Sequence, residues 1–300
     1  MTYEETLAGL ALADERVVVM TAENRVALRS LPEKLGDRFI DTGITEQTMI
    51  GMAAGLALRG RIPVVRALAA FLTMRAFEFI RTDVGIAGLP VKLVGGVPGL
   101  LSEANGPTHQ AVEDVALMRG IPGMGVFCPA DMQEMALGLP AILYSQRPFY
   151  IRYNPQPALY AHDANFEIGQ AEQIGDGMDV AILTYGALVR QSYAACAILR
   201  TEAIDARLIN LRTLAPLDEE AIVEAASECK LLVTVEDHFR TGGLYSAVCE
   251  VLTRRRLLAD ILPIDLEERW FRPGLLDEVL AFEGFRGPQI ARRISERLGE

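Results

Sequence analysis

Short apolar runs alternate with helix-period segments along nearly the whole chain, and few folds accommodate that order. Strands are predicted over 17–20, 39–41, 63–66, 91–95, 125–128 and 149–152. Helices are predicted over 4–13, from Glu46 onward, and over 71–85, 113–119 and 132–145. Strand–helix–strand repeats predict a parallel sheet covered by helices on its faces. The stretch 154–165 interrupts the pattern with Pro155, Pro157, polar residues and no period, which reads as a linker. A second series follows, with strands over 180–184, 206–210, 231–236 and 261–265. Its helices are predicted over 187–202, 218–228, 244–254 and 289–298. The predicted fold is α/β, with two three-layer α/β domains over 1–160 and 166–300. A chain of 300 residues, half of them hydrophobic, has the length and apolar surface for two such cores.

Charge narrows the partners. A formal charge of −11 speaks against nonspecific binding to nucleic acid or to an anionic membrane surface, both of which need a basic face. The four cysteines, Cys128, Cys196, Cys229 and Cys249, form no C-x-x-C pair or metal-ligand spacing, so buried free thiols are expected. The amino-terminal MTYEETLAGLALADER lacks the basic flank and apolar core of a signal peptide. No apolar run reaches the length of a membrane span, and a cytoplasmic location is expected.

Three segments carry candidate chemistry. DTGITEQTMIGMAAGLALRG places Glu46 at a strand-to-helix turn, the position where α/β proteins hold ligands, and follows it with small residues. FLTMRAFEF sets Phe71, Met74 and Phe77 at i, i+3 and i+6, the spacing of one helix edge. GPTHQAVED holds His109 in a loop. The other two histidines, His162 in the linker and His238 in VEDH, are expected to be non-catalytic.

In this order and spacing the segments resemble the pyrimidine-binding domain of transketolases. INLRTLAPLD and VTVEDHFRTGGLYSAVCE resemble that family's C-terminal domain, so the likeness spans essentially the whole chain. The resemblance implies that Glu46 activates thiamine diphosphate by hydrogen-bonding its pyrimidine ring. It implies that Phe71 stacks on that ring, that Met74 and Phe77 complete the pocket, and that His109 faces the substrate. Arg152, in IRYN, matches an arginine able to clamp a substrate phosphate. Glu23 stands where the family often has aspartate.

Other positions depart from the pattern. Asn105 replaces an acidic residue, VGGVPG lacks an upstream histidine, and Ala27 lies near the place of a phosphate-contacting serine. The activation machinery therefore reads as intact and substrate recognition as altered.

The diphosphate and metal half is missing. The chain's one GDG, residues 175–177, lacks a suitably spaced asparagine and reads as a turn, so no metal site is expected on this chain. Mg2+ (or Ca2+) and the diphosphate are expected on a separate N-terminal transketolase subunit. A homodimer within a heterotetramer follows, with a sugar or sugar phosphate as substrate. The alternatives are the beta subunit of a 2-oxo-acid dehydrogenase and a deoxyxylulose-phosphate-synthase-like carboligase.

Overall fold

The computed structural model describes residues 2–299. Apolar runs of three to seven residues form β1 (Val17–Thr21), β2 (Phe39–Asp41), β3 (Ile62–Leu68), β4 (Lys92–Gly96), β5 (Gly125–Phe127) and β6 (Phe149–Arg152). They pair in parallel in the order β5-β6-β4-β3-β1-β2. All but the edge strand β2 and the last residue of β3 are buried, as both faces of a parallel sheet must be. The second half supplies β7 (Glu172–Ile174), β8 (Val180–Thr184), β9 (Ala206–Asn210), β10 (Thr213–Ala215), β11 (Leu231–Val235) and β12 (Ile261–Ile264). Five of these form a second sheet, ordered β12-β11-β8-β9-β7, with only β7 antiparallel. Both halves are thus helix-covered α/β units, as their alternating patterns predict.

The division between them is not clean. β10 leaves the second sheet and adds to the first, running antiparallel to β5 with Thr213 opposite Phe127. One apolar core joins Met20, Val65 and Leu93 below the first sheet to Leu183, Ile209 and Leu232 below the second.

Helix starts follow their local chemistry. Thr2 and Glu5 close a capping box on Tyr3–Ala13. Asp131 caps Met132–Tyr144, accepting from the amides of Gln133 at 2.8 Å and Glu134 at 3.1 Å. The predicted helix over 71–85 is broken instead. A wide turn, Phe71–Arg75, closes through the Ala76 amide on the Phe71 carbonyl at 3.3 Å. A second wide turn, Ile80–Gly85, follows a short helical piece. The extra residue per turn rotates the side chains, so the three-residue stripe does not share one edge. Phe71 and Met74 pack with Ala69, Ala70 and Ala111, whereas Phe77 joins the main core.

The stretch 154–165 has no regular structure, yet it is tied down. His162 is buried, with Nε2 2.8 Å from Asp131 and Nδ1 2.7 Å from Glu172. Arg212 lies 2.8 Å from Glu134 and 3.0 Å from Glu172. Glu134, His162 and Glu172 are close enough to hold a cation, but Arg212 already pairs with both glutamates and both His162 nitrogens are engaged. The cluster is an ion-pair knot binding the linker to both halves.

Burial opposes the charge on His162, but its bonds to Asp131 and Glu172 prevail and push its pKa up to about 10. Burial opposes the Glu172 carboxylate too, and His162 still holds its pKa down at about 2. The histidine's contribution is therefore complete below its unfolded pKa and is lost as pH rises through the folded one. The carboxylate's contribution is complete above its unfolded pKa and lost in acid. His162→Gln is expected to lower the urea midpoint most at about pH 6, less at about pH 8 and least at about pH 10. A constant difference across that series would show that His162 is not held charged.

Candidate functional site

The carboxyl ends of β1, β2, β3, β4 and β6 open on one edge of the first sheet, and the candidate residues sit on the segments that leave it. The chain reverses its direction of winding between β2 and β3, which flank β1, and such a switch point is where open α/β sheets hold ligands. Glu46 begins the helix Glu46–Leu58 just beyond β2 and is only 2 % exposed. Phe71 and Met74 lie on the wide turn beyond β3, both half-buried. His109 lies on the loop beyond β4, half-buried.

A residue not singled out in the sequence connects them. Arg75 Nη1 donates to Glu46 Oε2 at 3.2 Å, and its guanidinium lies 4.1 Å from the centroid of the Phe71 ring. The Phe71 ring also meets the His109 imidazole edge-to-face, with ring centres 4.9 Å apart. Thr108 Oγ1 lies 2.8 Å from His109 Nδ1. Glu46, Arg75, Phe71 and His109 are thus in one contiguous contact chain. An arginine directly after Phe71 and Met74 in the aromatic-rich run FLTMRAFEFI was the available signal for Arg75.

The geometry also tests which flat group fits. A planar cation over Phe71 and within hydrogen-bond reach of Glu46 occupies the place where a flat ring could both stack on Phe71 and meet the carboxyl group. Arg75 is 43 % exposed, so it is weakly held there. The carboxylate, ring and adjoining histidine suit such a heterocycle.

Glu23 stands at the same sheet edge, exposed, with a left-handed φ of 57°. Its amide donates to Asp41 at 3.1 Å, which holds that turn. Asn105 is exposed and spends its side-chain amide on the Ser102 carbonyl at 2.7 Å. Phe77 lies on the core side and away from the Phe71–Met74 patch.

Arg152 requires a correction. It is not a free cation at the sheet edge but is 3 % exposed and fully engaged. Its Nε donates to Asp114 at 2.9 Å and its Nη1 to Asp237, beyond β11, at 2.6 Å. Burial works against its charge, yet the two aspartates hold its pKa well above the ordinary value. Its Nη2 lies 3.4 Å from the Ala111 carbonyl, so its donors are turned into the fold rather than toward a substrate phosphate.

The glycines of the GDG are also accounted for by the fold. Gly175 adopts a φ of 79° in the turn before β8, and a Cβ at Gly177 would collide with the backbone of Ala206. Asn210 is buried in β9 and donates to Glu134 at 2.9 Å. Neither segment offers a diphosphate or metal site. His238 is buried and structural, with Nδ1 donating to the Phe239 carbonyl and Nε2 accepting from the Ala116 amide at 3.3 Å. Burial lowers its pKa, consistent with that neutral form.

Two family descriptions cover nearly the whole chain. "Transketolase, pyrimidine binding domain" matches residues 1–158, and "Transketolase, C-terminal domain" matches residues 169–290. The chain belongs to the transketolase family.

Among transketolase relatives, the 6-deoxy-6-sulfo-D-fructose transketolase subunit SqwH of Clostridium sp. (strain MSTE9) is 38% identical over 84% of this chain and 79% of its own length. A putative transketolase C-terminal section from Methanocaldococcus jannaschii is 35% identical over 99% of this chain and 95% of its own. A 1-deoxy-D-xylulose-5-phosphate synthase from Synechococcus sp. (strain JA-2-3B'a(2-13)) is 36% identical, and the match covers 46% of that longer protein. Among solved structures, a split gene transketolase described as an inactive beta4 tetramer superposes with a TM-score of 0.87 at 30% identity. It covers 98% of this chain and 95% of its own. A transketolase from Pichia stipitis shares the fold at TM-score 0.80 and 17% identity, with 45% of its length matched. No helix among the described residues is long and apolar enough to cross a membrane.

The transketolase fold thus uses Arg152 as an internal strut here, and that assignment is testable. Arg152→Met strands Asp114 and Asp237 as buried, unpaired acids. The loss is expected to be about 3–5 kcal/mol of stability, read from denaturant midpoints. A variant as stable as the parent, but with weakened binding of a phosphorylated sugar, would restore the phosphate-clamp reading.

Proposed function

We propose that this chain is the C-terminal subunit of a split, thiamine-diphosphate-dependent transketolase that moves a two-carbon ketol unit from a ketose to an aldose. The observation that carries this reading is the buried Glu46 carboxylate beside the Phe71 face, with a planar cation bridging the two. When bound, thiamine diphosphate supplies a thiazolium carbon able to act as a carbon nucleophile. Glu46 holds a proton against the pyrimidine ring nitrogen, a role suited to a desolvated carboxyl on a rigid helix start. Phe71, with Met74 beside it, would stack on the ring, and Arg75 would yield its place over Phe71. His109 donates to a substrate oxygen and stabilises charge that develops there. Glu23 and Asn105 line the substrate side, and Phe77 supports the turn from behind.

The diphosphate and its Mg2+ or Ca2+ are assigned to an N-terminal partner subunit, because the GDG turn and Asn210 are committed to the fold. Two relatives matched over 95% of their own lengths, a putative transketolase C-terminal section and a split gene transketolase, support that arrangement. Two copies of this chain and two of the partner form the proposed heterotetramer, working in the cytoplasm on a sugar substrate.

Mixing the two subunits is expected to create magnesium-dependent cofactor binding and turnover that neither has alone. Glu46→Gln in that complex should lower turnover by about a hundredfold or more, roughly 3 kcal/mol, because glutamine cannot share the proton. Exchange of the thiazolium proton, followed by NMR, should slow in parallel. Exchange at the wild-type rate would remove Glu46 from this role, and tight cofactor binding calorimetrically detected on the isolated chain would remove the partner.

A second reading, a deoxyxylulose-phosphate-synthase-like carboligase, is kept because such synthases are 36% identical to this chain. The donor separates them, since that reaction consumes pyruvate. Phosphate recognition is the other axis. Arg152 is withdrawn into the fold, and Asn105 and Ala27 are uncharged. Each polar contact missing from a site costs about 1–3 kcal/mol. The reconstituted complex is therefore expected to show higher kcat/KM on a modified ketose, such as a 6-deoxy-6-sulfo sugar or one lacking phosphate, than on xylulose 5-phosphate with ribose 5-phosphate. Highest efficiency on the pentose-phosphate pair would defeat the altered-substrate reading, and turnover of pyruvate would select the carboligase.

A further inference from the structure

The loop that carries His109 is fastened from the second half of the chain as well as from its own domain. It runs from the end of β4 at Gly96 to the helix Asp114–Arg119. Glu103 Oε2 accepts from the Leu276 amide at 2.8 Å. Gln110, directly after His109 and with no exposed surface, donates from its side-chain amide to the Phe271 carbonyl at 3.0 Å. Near the start of the loop, the Leu100 amide donates to Asp237 at 3.2 Å; near its end, the Phe239 amide donates to the Val112 carbonyl at 2.9 Å.

Two features show that these contacts constrain the loop. Glu103 has a left-handed φ of 42°, an unfavourable state for a residue with a Cβ, and it persists where its carboxylate is bound. Gln110 keeps its Oε1 buried without a partner. A buried unpaired acceptor costs about 1–3 kcal/mol, so glutamine is a poor choice for packing alone. The Phe271 carbonyl fixes which way this amide points, because the reversed amide would set two oxygens against each other.

We propose that Gln110 and Glu103 are positioning residues for His109, and that through them the second domain holds the imidazole against Phe71. The catalytic value of that position rests on the function proposed above; the position itself does not. The anchors come from Phe271 and Leu276, so the second domain acts on the site without contributing a group to it. Its rigid connection to the first domain through Arg152 and Asp237 makes those anchors fixed points.

The test uses the full chain labelled on histidine, with the His109 ring signals assigned through His109→Gln. Phe71→Leu gives the position of those signals without the ring current of Phe71. Glu103→Ala and Gln110→Leu are each expected to move the His109 ring protons at least half-way to that position and to weaken their cross-peaks to Phe71. Glu103→Gln keeps an acceptor for the Leu276 amide and is expected to restore the parent signals. His162 and His238 should stay unmoved, which reports an intact fold. Unmoved His109 signals in both Glu103→Ala and Gln110→Leu would overturn the proposal.

Turnover of the reconstituted complex then separates the two claims. A loss of about ten- to a hundredfold in kcat/KM that tracks the displaced signals supports positioning for catalysis. Displaced signals with unchanged turnover would leave the positioning standing and remove His109 from the proposed reaction.

Discussion

Arg152 between Asp114 and Asp237 is the interaction on which the rest of the structure depends. It sits at the carboxyl end of β6, and its two partners come from different halves of the chain. Three charges in a buried junction are not a source of net stability, since desolvation offsets most of their attraction. What they provide is geometry. Asp114 also accepts from Tyr150 at 2.6 Å and opens the helix that ends the His109 loop. Asp237 also accepts from Leu100 near the loop's start. A Cβ at Gly99 would strike the Asp237 carboxylate, so the loop can enter only as glycine there, with a φ of 53°. One guanidinium thereby sets the distance between two sheets and both ends of the segment between them.

Around that junction the fold divides its labour. The first sheet brings Glu46 and Phe71 to its carboxyl edge on rigid element ends. The second sheet fixes the loop opposite. The ion-pair knot of His162, Asp131, Glu172 and Arg212 holds the connecting strap against both, and β10 stitches the second half onto the first sheet. A linker composed of prolines and polar residues would ordinarily let two domains move. Here it does not act as a spacer, because a buried histidine in its middle is bonded on both ring nitrogens.

The legible parts of this structure were those written in local period. Parallel strands buried on both faces appear as continuous apolar runs, so the strand predictions over 180–184 and 206–210 coincide with β8 and β9. The motif around Glu46 was legible because it begins a helix immediately after a strand, and that order places it at the sheet edge whatever surrounds it. Three things were not legible. The wide turns near Phe71 and Ile80 depend on one inserted residue each, which leaves the apolar spacing of a helix nearly unchanged. The strands β7 and β10 are three residues long and owe their form to neighbours rather than to their own pattern. Arg152 has the residue type of an anion clamp, and only tertiary structure shows two aspartates, distant in sequence, closing on it.

A buried carboxylate beside an open ring face poses a particular physical problem, and Arg75 shows how this chain meets it. A buried carboxylate must be paired or it drives up the free energy of the folded chain. If Glu46 were matched only by a cofactor, the chain would carry that penalty whenever the cofactor was absent. A deeply buried partner would remove the penalty but would block the ring face permanently. Arg75 lies between these extremes: one end of its guanidinium satisfies Glu46, its plane covers Phe71, and nearly half of its side chain remains in water. The solvated portion keeps the pair weak, since an arginine that is partly hydrated loses little on leaving. The same contact therefore pairs Glu46 in the folded chain and leaves the Phe71 face open to a flat competitor that stacks on it and bonds the carboxyl group. That combination requires a long, flexible cation on an irregular turn, which is what the wide turn at Phe71–Arg75 supplies.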